Sequence, residues 1–147
     1  MGSLLQMATR MRALSARLPL IADEAKRVVA NAALDSLFEN TPADTSTLIS
    51  NWRVTSGSIS PPIPAYSAGK LGSSREASVA EARSAASAAM AAIPPGKPII
   101  IYNSVPYAGY VNDGNATHAP LLFLERARLV GRLAGSMFKR SVGVTRG

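Results

Sequence analysis

His118 is the only histidine in the chain and the first place to look for chemistry. With Ser104 and Asp113 it could form a Ser–His–Asp set, in which the imidazole takes the hydroxyl proton and the carboxylate orients the ring. A serine-rich chain offers such triples by composition alone, and no G-x-S-x-G nucleophile elbow is present. The competing reading makes His118 a turn residue ahead of the last helix. A typical transition-metal site needs two or more imidazoles, or an imidazole among well-placed carboxylates. With no cysteine in the chain, disulfide scaffolds, thiolate zinc sites and cysteine nucleophiles are excluded. The nearest acidic pairs, Asp23 with Glu24 and Asp35 with Glu39, fall among Lys26 and Arg27, and surface pairing along a helix accounts for them. Residues 67–72 (SAGKLG) do not match the phosphate-cradling G-x-x-x-x-G-K-[ST] pattern. The expectation is a non-enzymatic protein with no catalytic residue, no metal and no cofactor.

Charge offers a different kind of chemistry. The chain carries 16 basic and 9 acidic residues, a net charge of +7, which attracts polyanions without specifying a fold. After Gly114 come Arg126, Arg128, Arg132, Lys139, Arg140 and Arg146 against Glu125 alone. Arg126, Arg128 and Arg132 are the candidates for facing DNA. The alternative is a solvated helix face with a basic tail, because no aromatic platform or nucleic-acid motif accompanies them. The first 22 residues hold Arg10, Arg12 and Arg17 and no acid, as in a transit peptide or a membrane-surface helix. They lack the compact apolar stretch of a secretory signal, and the segment is expected to be retained. No run of about 18 apolar residues exists, so no membrane span is expected.

The elements that must position these residues follow from periodicity. With 147 residues, a single domain over 1–147 is expected, large enough to bury roughly two thirds of its unfolded surface. Hydrophobic residues make up 47% but aromatics only 5%, so the core is thin in large side chains and neighbours are expected to share in the stability. Residues 1–40 read as helix. Leu4, Met7, Met11, Leu14, Leu18, Ile21, Ala25, Val28 and Ala32 recur at spacings of three and four, and Val29, Ala33 and Leu37 widen the stripe. Pro19 is expected to kink or split the helix near Leu18, and Pro42 ends it near Asn40. Thr41–Thr47 is a polar turn. The alternation of Trp52 and Val54 with polar neighbours predicts a strand within Leu48–Ser58. Ser56–Ser74, rich in Ser, Gly and Pro, is a long flexible loop that could order against a neighbour.

Ser73 and Glu76 have capping-box spacing, and an alanine-rich helix follows to about Ile93, with Val79, Ala82, Ala86, Ala89 and Ile93 on its apolar face. Lys97–Asn103 reads as a strand buried on both faces. Tyr107–Val111 is a short extended or helical piece, and residues 112–115 turn, with Gly114 free to take positive φ. Pro120 is placed to start a last helix with Phe123, Ala127, Val130, Ala134 and Phe138 on one face, ahead of a tail from Ser141 that frays. The fold class is α+β: a long kinked N-terminal helix on a small, mainly antiparallel sheet, with an alanine-rich middle helix and a C-terminal helix.

The order of these pieces resembles a known family. Thr41–Leu48 (TPADTSTL) before a strand with Asn51-Trp52-Arg53-Val54, then Ile100–Gly114 (IIYNSVPYAGYVNDG), then His118–Ala127 (HAPLLFLERA) resemble, in that order, the signatures of tailed-phage neck, head–tail connector and tail-completion proteins of the minor tail protein Z type. The resemblance extends from about Val28 to about Val130. Ser46 stands where the family often has glycine, and Asn112-Asp113-Gly114 replaces its glutamate–glycine spacing. The resemblance implies a structural virion protein, assembled in the host cytoplasm, forming a six- or twelvefold ring of its own copies at the head–tail junction. Implied partners are a portal, adaptor or stopper protein, a tail terminator or tube protein, and passing DNA through non-specific phosphate contacts, with no membrane. The alternative function is a free-standing, basic nucleic-acid-binding module. Subunit-interface candidates are Met11, Leu14 and Leu18 on the first helix, Ile63 and Tyr66 in the loop, and Tyr110. Tyr107 is expected to plug the core between sheet and first helix.

Overall fold

The computed structural model describes residues 4–114 and 120–141; along 4–20 it describes the backbone and, of the side chains, that of Gln6. The side chains of Met11, Leu14 and Leu18, and the whole of His118, therefore lie outside the described residues.

Helix α1 spans Leu4–Asn40, 37 residues and roughly 55 Å at 1.5 Å per residue. It is helical on both sides of Pro19, so the expected split does not occur: the proline removes one donor from a long ladder. In its second half the buried positions are Ala30, Leu34, Leu37 and Phe38, whereas Val28 and Ala32 are half-buried. The buried arc is rotated from the predicted stripe because α1 is covered on two sides by different helices.

On one side lies α3, Arg75–Ala91. Its buried face is Ser78, Ala82, Ala86 and Met90, small side chains that let the helix lie close. Two arginines bind α1 and α3 end to end. Arg75 donates to the carbonyls of Phe38, Glu39 and Thr41 at 2.6, 3.0 and 2.7 Å. Arg27 donates to those of Met90 and Ile93 at 2.6 and 2.7 Å, its Nε held by Asp23. Each satisfies carbonyls that a helix end leaves without a partner. The expected capping box does not form: Ser74 occupies the N-cap without a capping bond, its Oγ meets Ser46 Oγ at 2.8 Å, and Ser73 Oγ accepts from the Lys70 amide instead.

The predicted strand Leu48–Ser58 is mostly something else. Thr47–Ser50 forms a helical turn, α2, and strand β1 is Arg53–Thr55. It pairs antiparallel with β2, Ile100–Tyr102, in the register Arg53↔Tyr102, Val54↔Ile101, Thr55↔Ile100. The cross-strand pair Arg53 and Tyr102 stacks cation on ring, 5.0 Å to the centroid. Burial of β2 on both faces is not observed, because a two-stranded sheet leaves Ile100 37% exposed.

Residues 56–74, expected as a flexible loop, are fastened to the body along their length. Arg53 donates to the carbonyls of Ser60 and Pro61. The Ile63 amide and carbonyl both bond Asn51 at 2.8 Å, the Tyr66 amide donates to Ser50 Oγ, and Ser67 bonds Ser78 through both amide and carbonyl. Asp44 receives the amides of Leu71 and Gly72.

Helix α4 is Ala108–Asp113, closed by Gly114 at φ 78°. Helix α5 is Phe123–Ser141, so Pro120 does not open it. Leu122 precedes it at φ 53°, a conformation costly for a side chain with a Cβ. Asn112 holds this start in place: its carbonyl accepts from the Leu122 amide at 3.0 Å and its Oδ1 from the Leu124 amide at 2.9 Å. The capping oxygen comes from another helix rather than from the local residue.

Candidate functional site

Helix α5 presents three faces to three environments. Its inner face is Phe123, Ala127, Gly131 and Gly135, all buried and spaced four apart. A Cβ on Gly131 would lie 3.2 Å from Val29 Cγ1, and one on Gly135 2.9 Å from Val29 Cγ2, so the missing side chains set how closely α5 lies on α1. Phe123 meets Trp52 edge-on, with centroids 5.6 Å apart and planes at 80°. The Trp52 indole donates to buried Thr41 Oγ1 at 2.9 Å. The predicted face through Val130 is corrected, since Val130 is exposed and Ala134 and Phe138 are half-buried.

The second face borders a groove between α5, α1 and the sheet, about 960 Å³ in volume. Val29, Ala33, Leu37, Trp52, Ile99 and Ile101 supply apolar lining, and Lys26, Arg128, Arg132 and Lys139 supply its charge; no acidic residue lines it. Lys26 is engaged, donating to the Lys97 carbonyl at 2.9 Å with Asp23 at 3.9 Å. Arg128, Arg132 and Lys139 are exposed and make no ion pair among the described residues.

The third face looks outward and is apolar: Leu129, Val130, Leu133 and Met137, with Leu133 57% and Met137 68% exposed. Large apolar side chains grouped on one exposed helical stripe are the usual mark of a surface that meets a partner.

Across α1 from the groove is a smaller hollow of about 610 Å³ between α1 and α3, bordered by Asp35, Phe38, Glu39, Arg75, Glu76, Val79 and Arg83. Arg83 pairs with Asp35 and lies 5.3 Å over the Phe38 ring. Beyond it, the outer side of α3 exposes Glu76, Ala77, Ala80, Glu81, Ser84 and Ala88.

The sequence candidates are distributed unevenly over these surfaces. Arg128 and Arg132 stand together in the groove, but Arg126 does not line it; its guanidinium donates to Asn40 Oδ1 at 3.1 Å. Ile63 is half-buried with its backbone spent on Asn51, and Tyr66 is 39% exposed beside it. Tyr110 is 68% exposed on α4. Tyr107 is corrected: at 44% exposed it is no core plug, and Trp52 and Phe123 fill that place. Ser104 Oγ is committed to the loop, donating to the Ser60 carbonyl and accepting from Arg53. Asp113 Oδ1 accepts from Asn112.

Asn51, Asn112, Arg27, Arg75 and the glycine seam were not singled out by sequence. The i, i+4, i+8 run Ala127, Gly131, Gly135 was a readable signal for the last of these. Among the described residues no group of three or more His, Cys, Asp or Glu could hold a metal ion. Among the same residues no helix is long and apolar enough to cross a membrane. What the arrangement offers is contact: an apolar stripe, a cationic groove and an acid-bearing alanine surface. No protein-family model, curated protein or solved structure matches the chain.

Proposed function

We propose that this chain is a structural subunit of a tailed-phage particle, assembling with its own copies into a ring at the head–tail junction between portal or adaptor and tail. The observation that carries the reading is the uncovered apolar stripe Leu129, Val130, Leu133 and Met137 on α5. A subunit that completes its burial only in an assembly leaves such a stripe on its own surface. The motif resemblance supplies the setting, and one backbone detail supports it. Ser46, at the position where that family often has glycine, takes φ 65°, a conformation glycine adopts freely.

The test is mass measurement of the purified chain, with imaging of virions carrying a labelled copy. A closed oligomer, dispersed by Leu133→Asp with Met137→Asp, is the expected result. A strict monomer absent from virions overturns the proposal.

A second reading is a free-standing nucleic-acid-binding protein, favoured by the alignment of Arg128, Arg132 and Lys139 on one groove. It requires steeply salt-dependent DNA binding by the isolated chain, lost on charge reversal of Arg128 and Arg132.

A further inference from the structure

The cationic groove and the exposed side of α3 are complementary surfaces on opposite sides of α1. Val29 and Ala33 line the groove toward α5, whereas Asp35, Phe38 and Glu39 border the hollow toward α3. We infer that the groove between α1 and α5 receives helix α3 of a second copy of this chain, with Glu76 and Glu81 of the incoming helix meeting Arg128, Arg132 and Lys139. The inference rests on the ring reading and names the two patches that meet.

Charge, size and polarity each support this occupant. The groove has four cations and no acid on its walls, so its occupant must bring carboxylates. Glu76 and Glu81 are exposed and make no ion pair among the described residues. They stand five residues apart, about 7.5 Å along the helix axis, against about 6 Å from Arg128 to Arg132 and about 10.5 Å from Arg132 to Lys139. The 17 residues of α3 and the 19 of α5 give helices of roughly 26 and 28 Å, so the two run side by side without overhang. The surface that α3 offers is Ala77, Ala80, Ser84 and Ala88, small enough for interaxial distances of about 8 Å, the close end of helix packing. A DNA backbone would satisfy the cations but leave the apolar lining of Val29, Ile99 and Ile101 without a match. Because groove and α3 surface are different patches, the contact is heterologous: it propagates from copy to copy and closes into a ring when the rotation allows.

Four proteins test this by mass photometry and sedimentation: wild type, Arg128→Glu/Arg132→Glu, Glu76→Lys/Glu81→Lys, and the quadruple variant carrying all four changes. All sites are exposed, and circular dichroism with a thermal melt checks that each protein is folded. Wild type should assemble. Each double variant should associate at least about tenfold more weakly, since like charges then face each other. An equimolar mixture of the two doubles should reassemble, because every groove then meets an α3 of opposite charge, and the quadruple variant should assemble alone. Ala80→Trp on α3 should block association sterically without touching either charge set. Assembly unchanged by either double, or a mixture and a quadruple variant that both stay dispersed, overturns the inference. If the doubles assemble normally while Leu133→Asp disperses the chain, the ring reading stands and this pairing alone falls. A wild type monomeric at all concentrations overturns both.

Discussion

Arg27 and Arg75 close opposite ends of the same helix pair: Arg27, on α1, takes the last carbonyls of α3, and Arg75, at the start of α3, takes the last carbonyls of α1. The planar guanidinium suits this task because its donors reach two or three carbonyls at once. The pair fixes α1 and α3 in antiparallel register at two points about 20 Å apart, by helix rise.

Arg75→Met should lower unfolding stability by about 2 kcal/mol, since partly buried carbonyls lose a charged donor. Arg75→Lys should recover less than half of the loss. Urea denaturation reads the change as a lower midpoint with an unchanged slope. Combined with Arg27→Met, the two losses should add, as distant sites without shared partners do.

Asn51 is wholly buried and makes three bonds, two of them to Ile63 and one to the Thr47 carbonyl. Asn51→Ala should cost about 2 kcal/mol through the unpaired groups it leaves. Its distinctive effect should be local: amide exchange at Ile63 and Tyr66 speeds up well before that of α1. Equal acceleration everywhere would mean that Asn51 supports the core and does not fasten the loop.

Gly135→Leu should destabilise by about 1–3 kcal/mol, because the new side chain is forced against Val29. The size of the residue at Val29 decides the matter, so Val29→Ala in the same chain should restore part of the loss. An independent cost of each substitution, summed in the double variant, would refute close helix contact as the cause.

Asn112→Ala removes the capping oxygen from Leu124 and should cost about 1 kcal/mol, with fraying confined to the first turn of α5. Asn112→Asp keeps an acceptor at that point and should lose less. Backbone chemical shifts of residues 123–126 would report the difference.

The helices α1 and α3 and the half-buried Trp52 and Val54 were legible because side-chain size repeats there with the period of the element. The seam of α5 was misread for the converse reason: at Gly131 and Gly135 the packing signal is the absence of a side chain, and Val130 drew the predicted face toward itself. Arg126 was grouped with Arg128 by proximity in sequence, although positions two apart on a helix do not share a face. Asn51 and Asn112 resemble turn residues anywhere; their roles rest on partners about twelve positions away. An aromatic residue type does not reveal its side, so Tyr107 was placed inside while the fold keeps it out. The cations of the groove were visible in sequence, but not the apolar lining, which comes from three separate segments.

Helix α5 has no face given over to water alone: one side is seam, one cationic groove, one apolar stripe. Added salt therefore acts on it in opposite senses. Simple salts at moderate strength screen Arg128, Arg132 and Lys139, whereas strongly excluded salts such as sulfate favour covering Leu133 and Met137. Self-association of this chain should first weaken and then strengthen along a sulfate series, and the turning point measures the balance between charge and hydrophobic burial on a single helix.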